Sequence, residues 1–157
     1  MSKIEIDFAK ADDLNEILVI KKQSHSYFAN KLPQIYKESN ILYTDDFLTK
    51  FFNEKDKKIL ISRWNEKIIG YAFIELMSVK LPMMTTRKYI YIHDIAVDER
   101  YRNNGAASEL LYYTEEYAKE YGADKIELAV HLFNENALSL YENNGFRART
   151  VRMEKLI

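Results

Sequence analysis

The sequence predicts a mixed α/β fold in one domain spanning residues 1–157, and three patterns indicate it. Residues 89–97 are a β-branched and aromatic run without glycine or proline, which is typical of a buried central strand. From residue 107 the apolar and small positions fall at 107, 110, 111, 114 and 118, one stripe of a helix. Apolar residues at 4, 6 and 8 alternate with polar ones, as in a half-buried strand.

Local signals place the elements of the first half. Asp12 is the expected N-cap of a first helix that ends before Leu32-Pro33. Thr44, followed by two aspartates, is the expected cap of a second helix with an aromatic face. Residues 58–64 and 68–77 are predicted strands, joined by a short hairpin turn.

The second half continues the alternation of strands and helices. Gly122 is expected to end the long helix in a left-handed conformation, and residues 126–130 form another buried strand. Residues 136–143 predict a short helix that stops at Gly145. The segment 146–156 fits one or two final strands.

Composition excludes several classes of function. The formal net charge of −1 gives no electrostatic reason to expect a nucleic acid or an anionic membrane as partner. Without cysteine the chain has no disulfide, no thiolate nucleophile and no cysteine-ligated metal. The first residues lack a secretory signal, and no 18-residue apolar stretch occurs, so we expect a cytoplasmic protein without a membrane span.

A loop between the central strand and the long helix combines an arginine with small residues. Gly105 allows a tight turn, and residues 106–108 keep side-chain bulk low at the helix start. The free amides of the first turn and the helix dipole can then bind an anion, with Arg102 adding a charge. The same residues also suit an ordinary tight connection, so the pattern by itself leaves both interpretations open.

The spacing in this loop resembles a known signature. Val97, Arg102, Gly105 and Ala107 are similar to the acyl-CoA signature of GNAT-type N-acetyltransferases, [Arg/Gln]-x-x-Gly-x-[Gly/Ala]. Further pieces match the same superfamily in the same order, namely Leu128-Ala-Val130, Asn134-x-x-Ala137, Leu140-Tyr141 and Gly145-Phe146. The resemblance is clear from about residue 68 to residue 146.

The resemblance implies a strongly twisted mixed sheet with about four helices and acetyl-CoA as cosubstrate. In that fold the strands 89–97 and 125–131 splay apart, and the pantetheine arm lies between them. The residues implied in binding acetyl-CoA are Ile95, Ala96, Val97, Arg102, Asn103, Asn104, Gly105, Ala106, Ala107, Ser108, Asn134, Ala137 and Tyr141. Dimers are frequent among such proteins, so a homodimer is also an expectation.

Three residues are the candidates for catalysis. Tyr141 corresponds to the tyrosine that protonates the departing thiolate in many relatives, although a core tyrosine is the alternative. His93 and Asp94 are consecutive on a strand, so we expect them to face opposite sides of the sheet, with only one toward the amine. Spermidine-type relatives carry an acidic pair here. His93 replaces the first acid and can serve as base or relay, or simply fill a polar notch.

The leading hypothesis is therefore an acetyl-CoA-dependent N-acetyltransferase that acts on a primary amine, either a small molecule or a peptide, by direct attack. A non-catalytic acyl-CoA-binding or regulatory module is the alternative from another class. A generic nucleotide-binding domain is opposed by the lack of a Gly-x-Gly-x-x-Gly or Gly-x4-Gly-Lys pattern. The histidines at 25, 93 and 131 lack the spacing of a metal site, so no metal is expected.

Overall fold

The computed structural model describes residues 3–157, which form one five-stranded sheet and four α-helices. The strands are β1 (Glu5–Phe8), β2 (Lys57–Trp64), β3 (Lys67–Val79), β4 (Arg87–Val97) and β5 (Ile126–Leu128). The helices are α1 (Leu14–Lys31), α2 (Asp45–Asn53), α3 (Ala106–Glu120) and α4 (Glu135–Asn143). Two short 3₁₀ helices cover Ala11–Asp13 and Glu99–Tyr101.

The sheet has the strand order β1-β2-β3-β4-β5. The first three pairings are antiparallel, and β4 pairs with β5 in parallel, so the sheet is mixed as predicted. The turn between β2 and β3 has positive φ at Asn65 (49°) and Glu66 (66°), the twist that a two-residue hairpin requires. The parallel pairing needs a crossover, which α3 supplies. The predicted mixed α/β fold is confirmed.

Each face of the sheet carries its own apolar core, because alternate residues of a strand point to opposite faces. On one face Leu60, Ala72, Ile74, Ile90 and Ile92 pack against Leu110, Leu111, Tyr117 and Ala118 of α3. On the other face Ile59, Ile61, Ile68, Tyr71 and Phe73 pack against Ile17, Ile20 and Phe51 of α1 and α2. We call these the α3 face and the α1–α2 face.

Two helix details differ from the expectations. Asp12 does not cap α1, because the helix begins one residue later and Asp13 accepts the backbone N–H of Lys10 at 2.8 Å. The buried stripe of α3 begins at Ala106, which is 2% exposed, while Ala107 is only half-buried. The cap at Thr44 is present, since its hydroxyl accepts the Phe47 amide at 3.2 Å.

The prediction of final strands in residues 146–156 was wrong. After Gly145 the chain has no helix or strand, and most of its side chains are exposed, including Val151 and Met153. Arg149 bonds to Glu127 of β5 at 3.1 Å, so the segment passes β5 without forming a backbone ladder. A strand needs an apolar face to bury, and here that face meets no partner. No helix within residues 3–157 is long and apolar enough to cross a bilayer.

Candidate functional site

β4 and β5 separate part of the way along their length. The pairing joins Ile90 with Ile126 and Ile92 with Leu128, and β5 then ends while β4 continues to Val97. On its other side β4 stays paired with β3 up to Val97. Within residues 3–157, the backbone groups of residues 93–97 that face away from β3 therefore have no strand partner. This gap is the separation that the resemblance implies.

The three residues expected to hold the pantetheine arm line this gap. Ile95, Ala96 and Val97 are all half-buried. The Ile95 side chain packs against the α3 face, and the Ala96 side chain packs against the α1–α2 face. The Ile95 and Ala96 side chains pack in the core while one backbone edge of the strand stays open, so core packing is compatible with a backbone contact to the arm.

A β-bulge places His93 and Asp94 on the same face of the sheet, which contradicts the expectation that they face opposite sides. Phe73 pairs with Asp94 and Ile74 pairs with Ile92, so His93 is the extra residue. The His93 ring lies 5.4 Å from the ring of Phe51, on the α1–α2 face. Alternation fails here because a bulge inserts one residue without a partner.

Asp94 is the centre of a polar cluster rather than a free carboxylate. Its Oδ2 accepts the Tyr43 hydroxyl at 2.5 Å and the Tyr71 hydroxyl at 3.2 Å, and it pairs with Lys21 Nζ at 2.8 Å. Burial and the negative charge of Asp94 raise the pKa of Tyr43 well above its usual range. The same causes raise the pKa of Tyr71. Both phenols therefore remain donors, and three donors already engage Asp94.

His93 has one strong partner. Its Nε2 lies 2.6 Å from Oε2 of Glu75, the side chain of which also bonds to Lys57 at 3.1 Å. The imidazole stands edge-on to Tyr91, with ring centroids 4.9 Å apart. Within the part of the chain that the structure describes, its other ring nitrogen makes no hydrogen bond. Glu75 thus orients the ring and leaves one nitrogen available.

The loop before α3 has the backbone geometry of an anion site. Gly105 is the N-cap of α3 with φ +86°, and among residues 3–157 no side chain caps the first turn. Asn103 also has positive φ, at 62°. An added Cβ at Gly105 would meet no atom within 4 Å, so the left-handed conformation, not crowding, is what requires glycine. The first-turn amides of residues 106–108 are left for an external acceptor.

The polar side chains of this loop mostly support its backbone. Asn104 donates to the carbonyls of Tyr101 (3.1 Å) and Arg102 (3.2 Å). Arg102 is exposed, and its Nε reaches the Val97 carbonyl only at 3.5 Å. Ser108 accepts from Asn144 at 3.2 Å, which ties the start of α3 to the end of α4. Arg102 alone among these side chains offers a charge to a ligand.

Asp98 anchors the start of this loop, a role that the sequence did not reveal. It is 1% exposed, and its carboxylate accepts the backbone and guanidinium N–H groups of Arg100 at 2.7–3.1 Å. These bonds hold the pKa of Asp98 at about 2 against the opposing effect of burial. The carboxylate thereby fixes the turn that leads from β4 toward Arg102.

α4 carries the remaining candidates. Asn134 caps the helix, because its Oδ1 accepts the Ala137 amide at 3.3 Å. Its side-chain nitrogen makes no hydrogen bond within residues 3–157. Tyr141 lies one to two turns further along and packs against Phe146, with ring centroids 5.7 Å apart. Burial, and then the charge of Asp94, raise the pKa of Tyr141 to about 12.

The Tyr141 hydroxyl has no hydrogen-bond partner within residues 3–157. Its half-buried ring packs against the α3 face. Ile95, which lies on the open part of β4, packs against the same face. The arrangement offers a neutral O–H donor, an open strand edge and a histidine with one available nitrogen.

Sequence reasoning missed the partners of the predicted site residues. Lys21 follows Ile17 by four positions, so it lies on the inward stripe of α1, and a charge at such a position predicts a buried partner. Glu75 similarly interrupts an apolar strand. Tyr43 and Asn144 gave no comparable signal.

Comparisons with known proteins agree with this architecture. The sequence model of the Acetyltransferase (GNAT) family matches residues 20–146. The uncharacterized N-acetyltransferase YhfO of Bacillus subtilis (strain 168) is 30% identical over 122 residues, covering 77% of this chain and 80% of YhfO. N-alpha-acetyltransferase 30 of Dictyostelium discoideum is 30% identical over 137 residues, covering 85% and 69% of the two chains.

A solved structure is also similar over almost the whole chain. A crystallised variant of protein BH1408 from Bacillus halodurans has a TM-score of 0.93 at 27% identity, covering 98% of this chain and 99% of that one. The family match spans most of the chain, and it includes the loop before α3 and the helix that carries Tyr141. The chain therefore belongs to the acetyltransferase (GNAT) family and is an N-acetyltransferase.

Proposed function

We propose that this enzyme transfers the acetyl group of acetyl-CoA directly to a small-molecule primary amine, with both substrates bound at once. The observations that carry the proposal are the open edge of β4 and the Tyr141 hydroxyl, which has no hydrogen-bond partner among residues 3–157; Tyr141 packs against the same face of the sheet as Ile95 of that edge. The acceptor amine approaches from the α1–α2 face, where His93 and Asp94 lie. Family membership supports acetyl-CoA as the donor.

Acetyl-CoA fits the donor and acceptor groups that line the gap. Pantetheine carries two amides, which can pair with the open backbone edge of residues 95–97 as an added strand. The pyrophosphate then reaches the first-turn amides of α3, where the helix dipole and Arg102 favour negative charge. The free side-chain nitrogen of Asn134 can donate to a carbonyl of the arm.

The reaction needs no covalent enzyme intermediate. The neutral amine nitrogen attacks the thioester carbonyl, a C–N bond forms, and the C–S bond breaks to release the CoA thiolate. The amine loses its proton to a base or to water, and the thiolate accepts a hydrogen bond from Tyr141 before it is protonated. Backbone N–H groups of the open β4 edge stabilise the oxyanion.

His93 is the base or water relay in this proposal. Glu75 accepts from one ring nitrogen and thereby leaves the other to take a proton. Asp94 is the second candidate, because Lys21, Tyr43 and Tyr71 all bond to its Oδ2 and leave only Oδ1 to accept a proton. Its role is to hold the cluster together and to place its charge near the reacting centre.

Tyr141 acts on the leaving group. With a pKa of about 12 it remains protonated at neutral pH and can donate to sulfur. A thiol has a pKa of about 8.5, so complete proton transfer to the thiolate is uphill by about 3–4 pKa units. Tyr141 therefore stabilises the departing sulfur as a hydrogen-bond donor, and the proton that CoA finally gains comes from solvent.

A thiol-release assay with acetyl-CoA and a panel of primary amines tests the proposal, with the N-acetyl product identified by mass spectrometry. We expect CoA release that depends on the amine, and one added acetyl group on that amine. Tight acetyl-CoA binding without turnover of any amine would instead indicate a non-catalytic binding module. Competition of ATP with acetyl-CoA at equal affinity would contradict the assignment of the donor.

A further inference from the structure

A group of aromatic rings beside the gap has no part in the chemistry described above. Tyr27 and Phe28 of α1, Tyr36 of the α1–α2 connection, and His131 and Phe133 of the β5–α4 loop form what we call the aromatic cluster. Phe28 is its centre, with centroid distances of 5.6 Å to Tyr27, 5.8 Å to Tyr36, 5.6 Å to His131 and 6.0 Å to Phe133. The Tyr36 hydroxyl lies 3.3 Å from His131 Nε2 and joins the two loops.

The aromatic cluster lies within the length of a small molecule from the proposed reacting centre. Lys21, which bonds to Asp94, precedes Phe28 by seven residues, so both lie on one side of α1 about 10 Å apart along its axis. On the other side of the gap, Phe133 directly precedes Asn134. The cluster thus connects the helix that contacts Asp94 to the loop proposed to hold the CoA arm.

The aromatic cluster is open to solvent and is not part of either core. None of its five members is buried, and Tyr27 and Phe133 are 44% and 37% exposed. The adjacent Leu132 is 74% exposed. Rings that contact one another while leaving surface uncovered provide apolar area and π faces for a planar ligand.

The charges around the aromatic cluster disfavour a polycation. Glu38 is already bonded to Lys22 at 3.1 Å and to Ser26 at 3.2 Å. Glu135 is in the first turn of α4, where the helix dipole stabilises its charge. Lys31 and Lys37 lie on the flanking segments, and neither has an ion pair among residues 3–157. Glu38 and Glu135 therefore do not supply the set of free carboxylates that a polyamine would need.

We propose that the aromatic cluster is the recognition surface for the acceptor, and that the acceptor is a primary monoamine joined by a short alkyl chain to a planar aromatic group. The aromatic group packs against Phe28 and Phe133, and the amine then extends toward His93. This inference rests on the proposed function and names the class of acceptor for the same site.

The test compares kcat/KM for 2-phenylethylamine, 2-cyclohexylethylamine, butylamine and spermidine in the thiol-release assay. We expect kcat/KM for 2-phenylethylamine to exceed that for butylamine and spermidine at least tenfold, and that for its saturated analogue severalfold.

The variant Phe133→Leu keeps apolar volume but removes the ring. This substitution should lower kcat/KM for 2-phenylethylamine about 3- to 10-fold, the loss expected for one aromatic contact, and leave kcat/KM for butylamine unchanged. Tyr112→Leu, at an exposed aromatic of α3, is the matched control and should change neither amine.

Two outcomes would overturn the inference while the proposed function stands: a preference for spermidine, or an unchanged ratio of the two amines in Phe133→Leu. If no amine is turned over, saturation-transfer NMR of 2-phenylethylamine with the acetyl-CoA-bound protein decides the question. Binding that weakens in Phe133→Leu, but not in Tyr112→Leu, would then support the aromatic surface without the reaction. No binding to the wild type would refute the surface as well.

Discussion

Two glycines flank α3, and a comparison of substitutions at these positions separates an effect on the anion site from an effect on stability. Gly105 begins the helix at φ +86°, and Gly122 follows its end at φ +74°. A Cβ added at either position meets no atom within 4 Å. Alanine therefore adds only backbone strain at both sites, about 1–2 kcal/mol for a left-handed residue. Gly105→Ala and Gly122→Ala should lower the free energy of unfolding by similar amounts in urea titrations.

Their effects on ligand binding should differ. To relieve the strain, Gly105→Ala turns the loop and moves the first-turn amides away from the pyrophosphate. Losing one hydrogen bond to a charged group costs about 1.5–3 kcal/mol, which raises the Kd for acetyl-CoA roughly 10- to 150-fold. Gly122→Ala should bind as the wild type does. Calorimetry with both folded variants decides, and equal affinities would refute the placement of the pyrophosphate at α3.

Three further variants probe the remaining parts of the account. Tyr141→Phe should lower kcat by roughly 10²–10⁴-fold with little change in the Kd for acetyl-CoA or in stability, because its hydroxyl has no partner among residues 3–157; a wild-type rate would make Tyr141 structural. His93→Gln should lower kcat/KM at pH 7 and recover toward the wild type near pH 10, where roughly a quarter of an alkylamine is already neutral without a base; loss in Asp94→Asn alone would transfer the role to Asp94. Asp98 has its pKa depressed to about 2, so it contributes roughly 2 kcal/mol of stability above about pH 4, and this is lost as pH falls toward 2. Asp98→Asn should remove that contribution at pH 7 in urea unfolding, and equal stability of the two proteins there would contradict the role of the Arg100 contact.

The sequence was most informative where local patterns decide the structure. The run 89–97 became β4, and the cap at Thr44 and the glycine after α3 are where the patterns indicated. The left-handed turn at Gly105 was also predictable, because it depends on residues that are contiguous in the chain.

The arrangement of side chains on the α1–α2 face depends on the pairing of strands, which cannot be read from one segment of the sequence. The bulge at His93 arises from the register of β3 against β4, and it placed both candidates for the base on one face. The partners of Asp94 come from α1, from β3 and from the connection before α2, far apart in sequence. In the final segment, residues 146–156, the sequence predicted strands that do not form, because the segment does not pair with a neighbouring strand.

Hydrogen exchange with and without acetyl-CoA tests the central claim most directly, namely that the open edge of β4 and the start of α3 together bind the donor. The account predicts slower exchange in peptides covering residues 93–97 and 105–108, and no change in β2, which lies two strands away. Saturating acetyl-CoA that protects neither segment, or protects a different part of the chain, would contradict it.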